Sequence, residues 1–197
     1  MAQKTKAKAS KKKNPPGRSR AKKTTAKSSV SSAPSAKQQF LDSFERESAT
    51  TLKLLRALPP NQSDFRPHMR SKSARELAFT FVGEQMLITK ALTDQLNFTG
   101  SGGPPVVPND FQAIINQFEN GQRTLVELIR KTPDAKFNTT VQFPIGPGQM
   151  GDWSKIAFAW FILSDQIHHR GQFSVYVRMA GGKVPSIYGP SADEPWR

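Results

Sequence analysis

The sequence predicts an all-α domain, a four-helix bundle behind a basic N-terminal tail. Two observations carry this. Four stretches of bundle length place apolar residues at helical spacing, each bounded by capping residues, proline or glycine, and no internal repeat divides them. The charge is also uneven: residues 1–37 hold twelve Lys/Arg and no acid, leaving 17 basic and 15 acidic residues, or +2 of the total +14, for the remaining chain. The 197 residues suffice for one domain with its own core, 38–197, and the basicity belongs to the tail.

Residues 1–37 are mostly Lys, Ala, Ser, Thr and Pro, with Val30 the one large apolar residue after Met1. Such a segment buries too little apolar surface to offset its ordering entropy, so a disordered tail is expected. Its basic clusters, Lys11–Lys13 and Arg18–Lys23, suit weak nonspecific contact with polyanions, including nucleic acid, but no aromatic residue is interleaved for base stacking. The absence of cysteine excludes disulfides, thiolate metal sites and cysteine nucleophiles. No apolar run approaches the roughly 18 residues of a membrane span. The positive N-terminus lacks a following apolar stretch, so a cytoplasmic protein is expected rather than a secreted one.

Phe40, Leu41, Phe44, Leu52 and Leu55 give a first helix that stops at Pro59-Pro60. A connection follows, with Pro67 forcing Arg66 out of helical geometry. Ser73-Ala-Arg-Glu76 has the form of a capping box and opens a second helix, with Leu77, Phe81, Ile88 and Leu92 on its apolar face. Thr80 and Glu84 share that face. A polar group there must be paired or functional, because burying it unpaired is costly. For Thr80 a hydroxyl bond back to its own helix would suffice, and for Glu84 a pairing with an arginine.

The Gly/Pro-containing loop from Thr99 leads to a third helix, with Asn109 and Gln112 as a cap-like pair and Phe111, Ile114, Ile115, Phe118, Leu125, Leu128 and Ile129 on its face. Pro133 closes it. Phe137, Thr139, Val141 and Phe143 alternate as a short extended segment, residues 144–151 read as a turn, and Asp152 is placed to cap the fourth helix. That helix is apolar nearly all round in its first half, Ile156–Leu163, and should be the most buried element; it ends at Gly181-Gly182. The last segment carries Val184, Ile187, Tyr188 and Trp196, so an ordered strap folded onto the bundle is expected.

The fourth helix holds the candidate site. Asp165 and His169 are i and i+4, hence one turn apart on one face. A carboxylate and an imidazole so placed could bind a metal, transfer protons, or satisfy each other. No nucleophile is marked out beside them, so the catalytic residues are unknown.

The run His168-His169-Arg170-Gly171-Gln172 with the strap Tyr188-Gly-Pro-Ser-Ala-Asp-Glu-Pro195, together with Phe65-Arg-Pro-His68 and Ser73–Leu77, resembles the DinB superfamily over residues 38–197. The resemblance implies a bundle with unusual helix order, a homodimer, and relatives that are called damage-inducible or that act as metal-dependent enzymes, thiol transferases among them. It also implies three histidine ligands, one in the second helix and an i, i+4 pair in the fourth. Here those positions match Thr80, Asp165 and His169, so only His169 is retained. Aspartate is itself a good ligand, whereas a neutral threonine hydroxyl is a poor donor to a divalent cation. Glu84, one turn beyond Thr80, could supply the missing ligand. His168 lies about 100° around the helix and should point elsewhere, toward a hydrogen bond that orients the strap.

Besides a metal-free acid–base enzyme in which Asp165 orients His169 as a general base, three functions remain open. One is a small-molecule-binding or structural bundle with a degenerate metal site. Another is a transferase or hydrolase using Zn, Ni, Fe or Mn on Asp165, His169 and Glu84. The third is nucleic-acid association through the tail.

Overall fold

The computed structural model describes residues 33–98 and 105–196. The expected disordered tail and its polyanion contacts, and the glycines of the loop after Thr99, fall on residues 1–32 and 99–104 and so lie outside the described residues. Four long helices are present: α1 (Ala36–Leu55), α2 (Ala74–Leu92), α3 (Phe111–Lys131) and α5 (Lys155–Met179). Between α3 and α5 come a one-turn helix α4 (Asp134–Phe137) and strands β1 (Thr140–Gly146) and β2 (Gln149–Ser154).

Local chemistry sets most boundaries. Ser35 caps α1, so the helix begins at Ala36, two residues before the expected start of the domain. The capping box of α2 is complete: Ser73 Oγ accepts from the Glu76 amide, and Glu76 Oε2 accepts from the Ser73 amide at 2.6 Å. At the end of α5, Gly181 adopts φ +81, its amide donates to Arg178 O and the Gly182 amide to Val177 O, a Schellman motif. A Cβ on Gly182 would lie 2.6 Å from Ala57 O, so only glycine lets the strap leave past the end of α1.

Four local expectations are corrected. Residues 140–154 form an antiparallel hairpin, so the fold is mostly helical rather than all-α. Pro144 and the glycines read as a turn, but proline is tolerated in a two-stranded ribbon where one side of each strand has no ladder to complete. Ser154, not Asp152, caps α5; Asp152 instead accepts a hydrogen bond from Gln142 on the facing strand. Asp110, not Asn109, caps α3, while Asn109 Oδ1 accepts from Arg75 at 2.8 Å. The first half of α5 is not wholly covered either, since Trp160 and Phe161 keep 37% and 40% of their surface.

In space α1 packs on α3 and α5, and α2 also packs on α3 and α5, so the chain crosses over between its first two helices. The core is divided. One apolar cluster joins Phe40, Phe44, Ile88, Leu125, Phe158 and Ile162; a second joins Leu54, Leu55, Phe81, Ile114, Phe118 and Phe173. Between them each of three helices turns polar: Glu47, Ser48 and Thr51 on α1, Glu84 and Gln85 on α2, Gln166 and Arg170 on α5, all buried. Among these, Arg170 (1% exposed) bonds Glu47 Oε2 at 2.7 Å and Tyr188 of the strap, and Tyr188 Oη also donates to Glu47 at 2.7 Å. The strap is ordered as expected, with Asp193 accepting from the Val184 amide and pairing with Arg178 at 2.6 Å. No helix of the described residues is long and apolar enough to cross a membrane.

Candidate metal centre

The polar tier ends in the site. Glu84 faces α5 from the middle of α2, and Asp165 and His169 project from α5 at i and i+4. The relative height of α2 and α5 is also fixed roughly 15 Å away, where the buried Lys155 at the start of α5 pairs with Asp94 just beyond α2. His169 Nδ1 lies 2.7 Å from Glu84 Oε1 and 3.8 Å from Asp165 Oδ2. One ligand atom from each of the three residues falls within 4.8 Å of the others. Of the four candidate residues Thr80, Glu84, Asp165 and His169, the fold thus draws the last three into one group. The Thr80 hydroxyl is engaged elsewhere: it donates to Glu76 O at 3.2 Å, as back-bonding predicts, and accepts from Lys72 Nζ at 3.0 Å.

Burial shapes the electrostatics. Glu84 is 3% exposed, and burial pushes its carboxyl above the usual carboxylate range, with the His169 bond pulling in the opposite sense. That same bond, outweighing desolvation, pushes the His169 imidazole up. Glu84 Oε2 is buried with no hydrogen-bond partner among the described residues, although the Gln166 amide helps to hold the carboxyl's charge. A carboxylate oxygen left in that state is costly unless something positive meets it.

Two cavities meet at this group. A cleft of about 770 Å³ is lined by Glu84, Asp165, Thr80 and the apolar Phe79, Met86 and Leu87. A smaller one of about 310 Å³ is lined by His169, Leu77, Gln172 and Tyr176, and Ser71 and Lys72 line both. The larger volume is that of a small-molecule site. His168 is exposed and bonds Gln172 rather than the strap; the residue that orients the strap is its neighbour Arg170. Sequence reasoning missed Arg170, Glu47 and Lys72. For Glu47 a signal existed, a carboxylate on the stripe Phe40, Phe44, Glu47, Thr51, Leu54; for Lys72, in a loop, none did.

The residues present fit a divalent ion: two carboxylates and one imidazole in reach of one another, one carboxylate oxygen buried and unpartnered. Fold and site together define a mostly helical protein with a carboxylate–imidazole group at an open cleft. Residues 29–196 match the DinB family, and the chain belongs to it. It is 30% identical over 156 residues to the uncharacterized protein YrdA of Bacillus subtilis (strain 168), covering 79% of this chain and 89% of that one. Among solved structures it is similar to a DinB-like protein from Bacillus cereus ATCC 10987, with TM-score 0.62 and 25% identity over 76% of this chain and 95% of that one. The DinB-like protein YjoA of Bacillus subtilis shares the fold, with TM-score 0.58 and 17% identity over 74% and 93% of the two chains.

Proposed function

We propose that this DinB-family protein binds a small molecule in its larger cleft, beside a divalent metal held by Glu84, Asp165 and His169. The observation that carries the reading is the convergence of three ligand atoms within 4.8 Å around a buried carboxylate. A donor set with two hard oxygens and one imidazole suits Mn, Fe(II), Ni or Zn. When bound, such an ion supplies Lewis-acid polarisation of a substrate oxygen or a lowered pKa for a coordinated water or thiol. The chain's own part is to hold the donors: Glu84 fixed by burial, His169 oriented by its bond to Glu84, Asp165 at the open edge with 43% of its side chain exposed.

The test is metal content of the full-length protein purified without a histidine tag or chelator, followed by titration with Mn and Zn. About one ion per chain is expected in the wild type, falling sharply in His169→Ala and Glu84→Gln. Asp165→Ala should lose metal while keeping its fold, because that side chain is half exposed. A protein that takes up no metal at micromolar concentrations would overturn the metal.

A second reading, a bundle that has lost its metal and binds small molecules without catalysis, has an observation of its own. The 2.7 Å bond between Glu84 and His169 already offsets the buried charge. On that reading the cleft is retained and all three variants bind ligand as the wild type does.

A further inference from the structure

The charge lining the larger cleft has an excess that the metal reading does not use. Four cations line it, Arg66, Arg70, Lys72 and Lys90, against three carboxylates, Glu76, Glu84 and Asp165. The carboxylates are committed: Glu76 to Arg66 at 3.0 Å, and Glu84 and Asp165 to the His169 group. Arg70, Lys72 and Lys90 make no ion pair among the described residues. Exposed cations are usually just solvated, but here they rim a concavity with apolar walls, where low-dielectric surfaces focus the field and raise the local concentration of counter-ions.

The cations are spread along the cleft. It follows one face of α2 from Glu76 through Thr80, Gly83 and Leu87 to Lys90, a rise of roughly 21 Å. Lys72 is fixed beside Thr80 by its hydrogen bond, Arg70 is two residues away in the same loop, and Lys90 closes the opposite end. Between them a Cβ on Gly83 would meet nothing within 4 Å, so the middle is open.

We infer that the ligand of this cleft is a small organic anion with an apolar body, drawn in by the joint field of Arg70, Lys72 and Lys90, its charge held at one end of the cleft, by Arg70 and Lys72 or by Lys90, and its body against Phe79, Met86 and Leu87. This rests on the reading of the cleft as a ligand site and names the class of ligand.

The experiment is calorimetric titration of the full-length protein with phenylacetate and phenylphosphonate, against 2-phenylethanol and phenethylamine, before and after chelation. The Arg70→Gln/Lys90→Gln variant is run alongside. Both changes are on exposed side chains outside the metal group, and the variant keeps the basic residues 1–37 as an internal control. One anion per chain is expected, with the alcohol and the amine weaker, and with affinity in the variant down by roughly tenfold. Preference for phenethylamine, no saturable binding of either anion, or equal anion binding by the variant would overturn the inference. Metal analysis of the same samples separates the two readings. Anions that bind a metal-free protein support this inference and remove the metal. One metal per chain with no anion bound overturns this inference and leaves the metal standing.

Discussion

Arg170 on α5 and Glu47 on α1, 123 residues apart in sequence, meet at 2.7 Å in the middle of the domain, both less than a tenth exposed. A second bond, from Arg170 to Glu47 O at 3.0 Å, and the Tyr188 hydroxyl complete the group. Burying two charges is repaid only when their polar atoms are satisfied in this way.

Removing one partner should therefore cost more than removing both. Arg170→Met alone is expected to destabilise by about 3–5 kcal/mol, because Glu47 is left charged and buried. The double variant Arg170→Met/Glu47→Leu should recover much of that loss in urea unfolding. Strictly additive losses would show that the two residues act independently.

The strap should loosen in acid. Burial raises Glu47, but bonds from Tyr188 and Arg170 outweigh it and hold the carboxyl below its ordinary value of 4.5. Arg178 and then the Val184 amide hold Asp193 below 3.8, and Lys53 and then the Ser186 amide hold Glu194 below 4.5. Depressed carboxylates contribute stability that is present above their ordinary values and lost as pH falls through the folded ones. Hydrogen exchange of residues 184–194 should thus lose protection below about pH 4.5, ahead of the helices. Protection that outlasts the helices at lower pH would contradict this.

His169 should respond to its partner. Its raised imidazole owes most to the Glu84 bond, so in the metal-free Glu84→Gln protein it should titrate lower than in the wild type. Its contribution to stability has the opposite sense to the strap's: present below about 6.5, lost as pH rises through the folded value. NMR titration of the His169 ring proton reads the shift, and an unchanged titration would mean that the contact seen here does not set the proton's affinity.

Gly171 sits inside α5, exposed, where a Cβ would meet nothing within 4 Å. Gly171→Ala removes unfolded-state freedom without a clash and should stabilise by about 0.5–1 kcal/mol. A loss in thermal unfolding would show that this glycine serves a contact outside the single chain.

Much of the fold was legible because it is written in local signals. The capping box Ser73/Glu76, the prolines after α1 and α3, and Gly181-Gly182 each act within a few residues of where they stand. The hairpin was legible only in part: β1 alternates, but Gln149–Ser154 offers too few apolar residues to show a period. The site was legible through i, i+4 spacing on α5 and a carboxylate out of place on α2. Its contact across the helices was not, since it depends on α2 packing against α5, which periodicity does not encode. The cleft's cations come largely from the loop before α2, where no pattern marks which side chains turn inward.

The buried polar tier also bears on how the helices find one another. Apolar surfaces alone are forgiving, and two leucine-rich faces can slide by a turn with little penalty. Here a slip of α5 by one turn, about 5.4 Å, would carry Arg170 away from Glu47 and toward one of the two apolar clusters. It would break the Glu84–His169 contact in the same motion. The tier thus works as an alignment mark: the arrangement that satisfies the structural charges is also the one that brings Glu84, Asp165 and His169 together, so a misaligned helix is penalised twice.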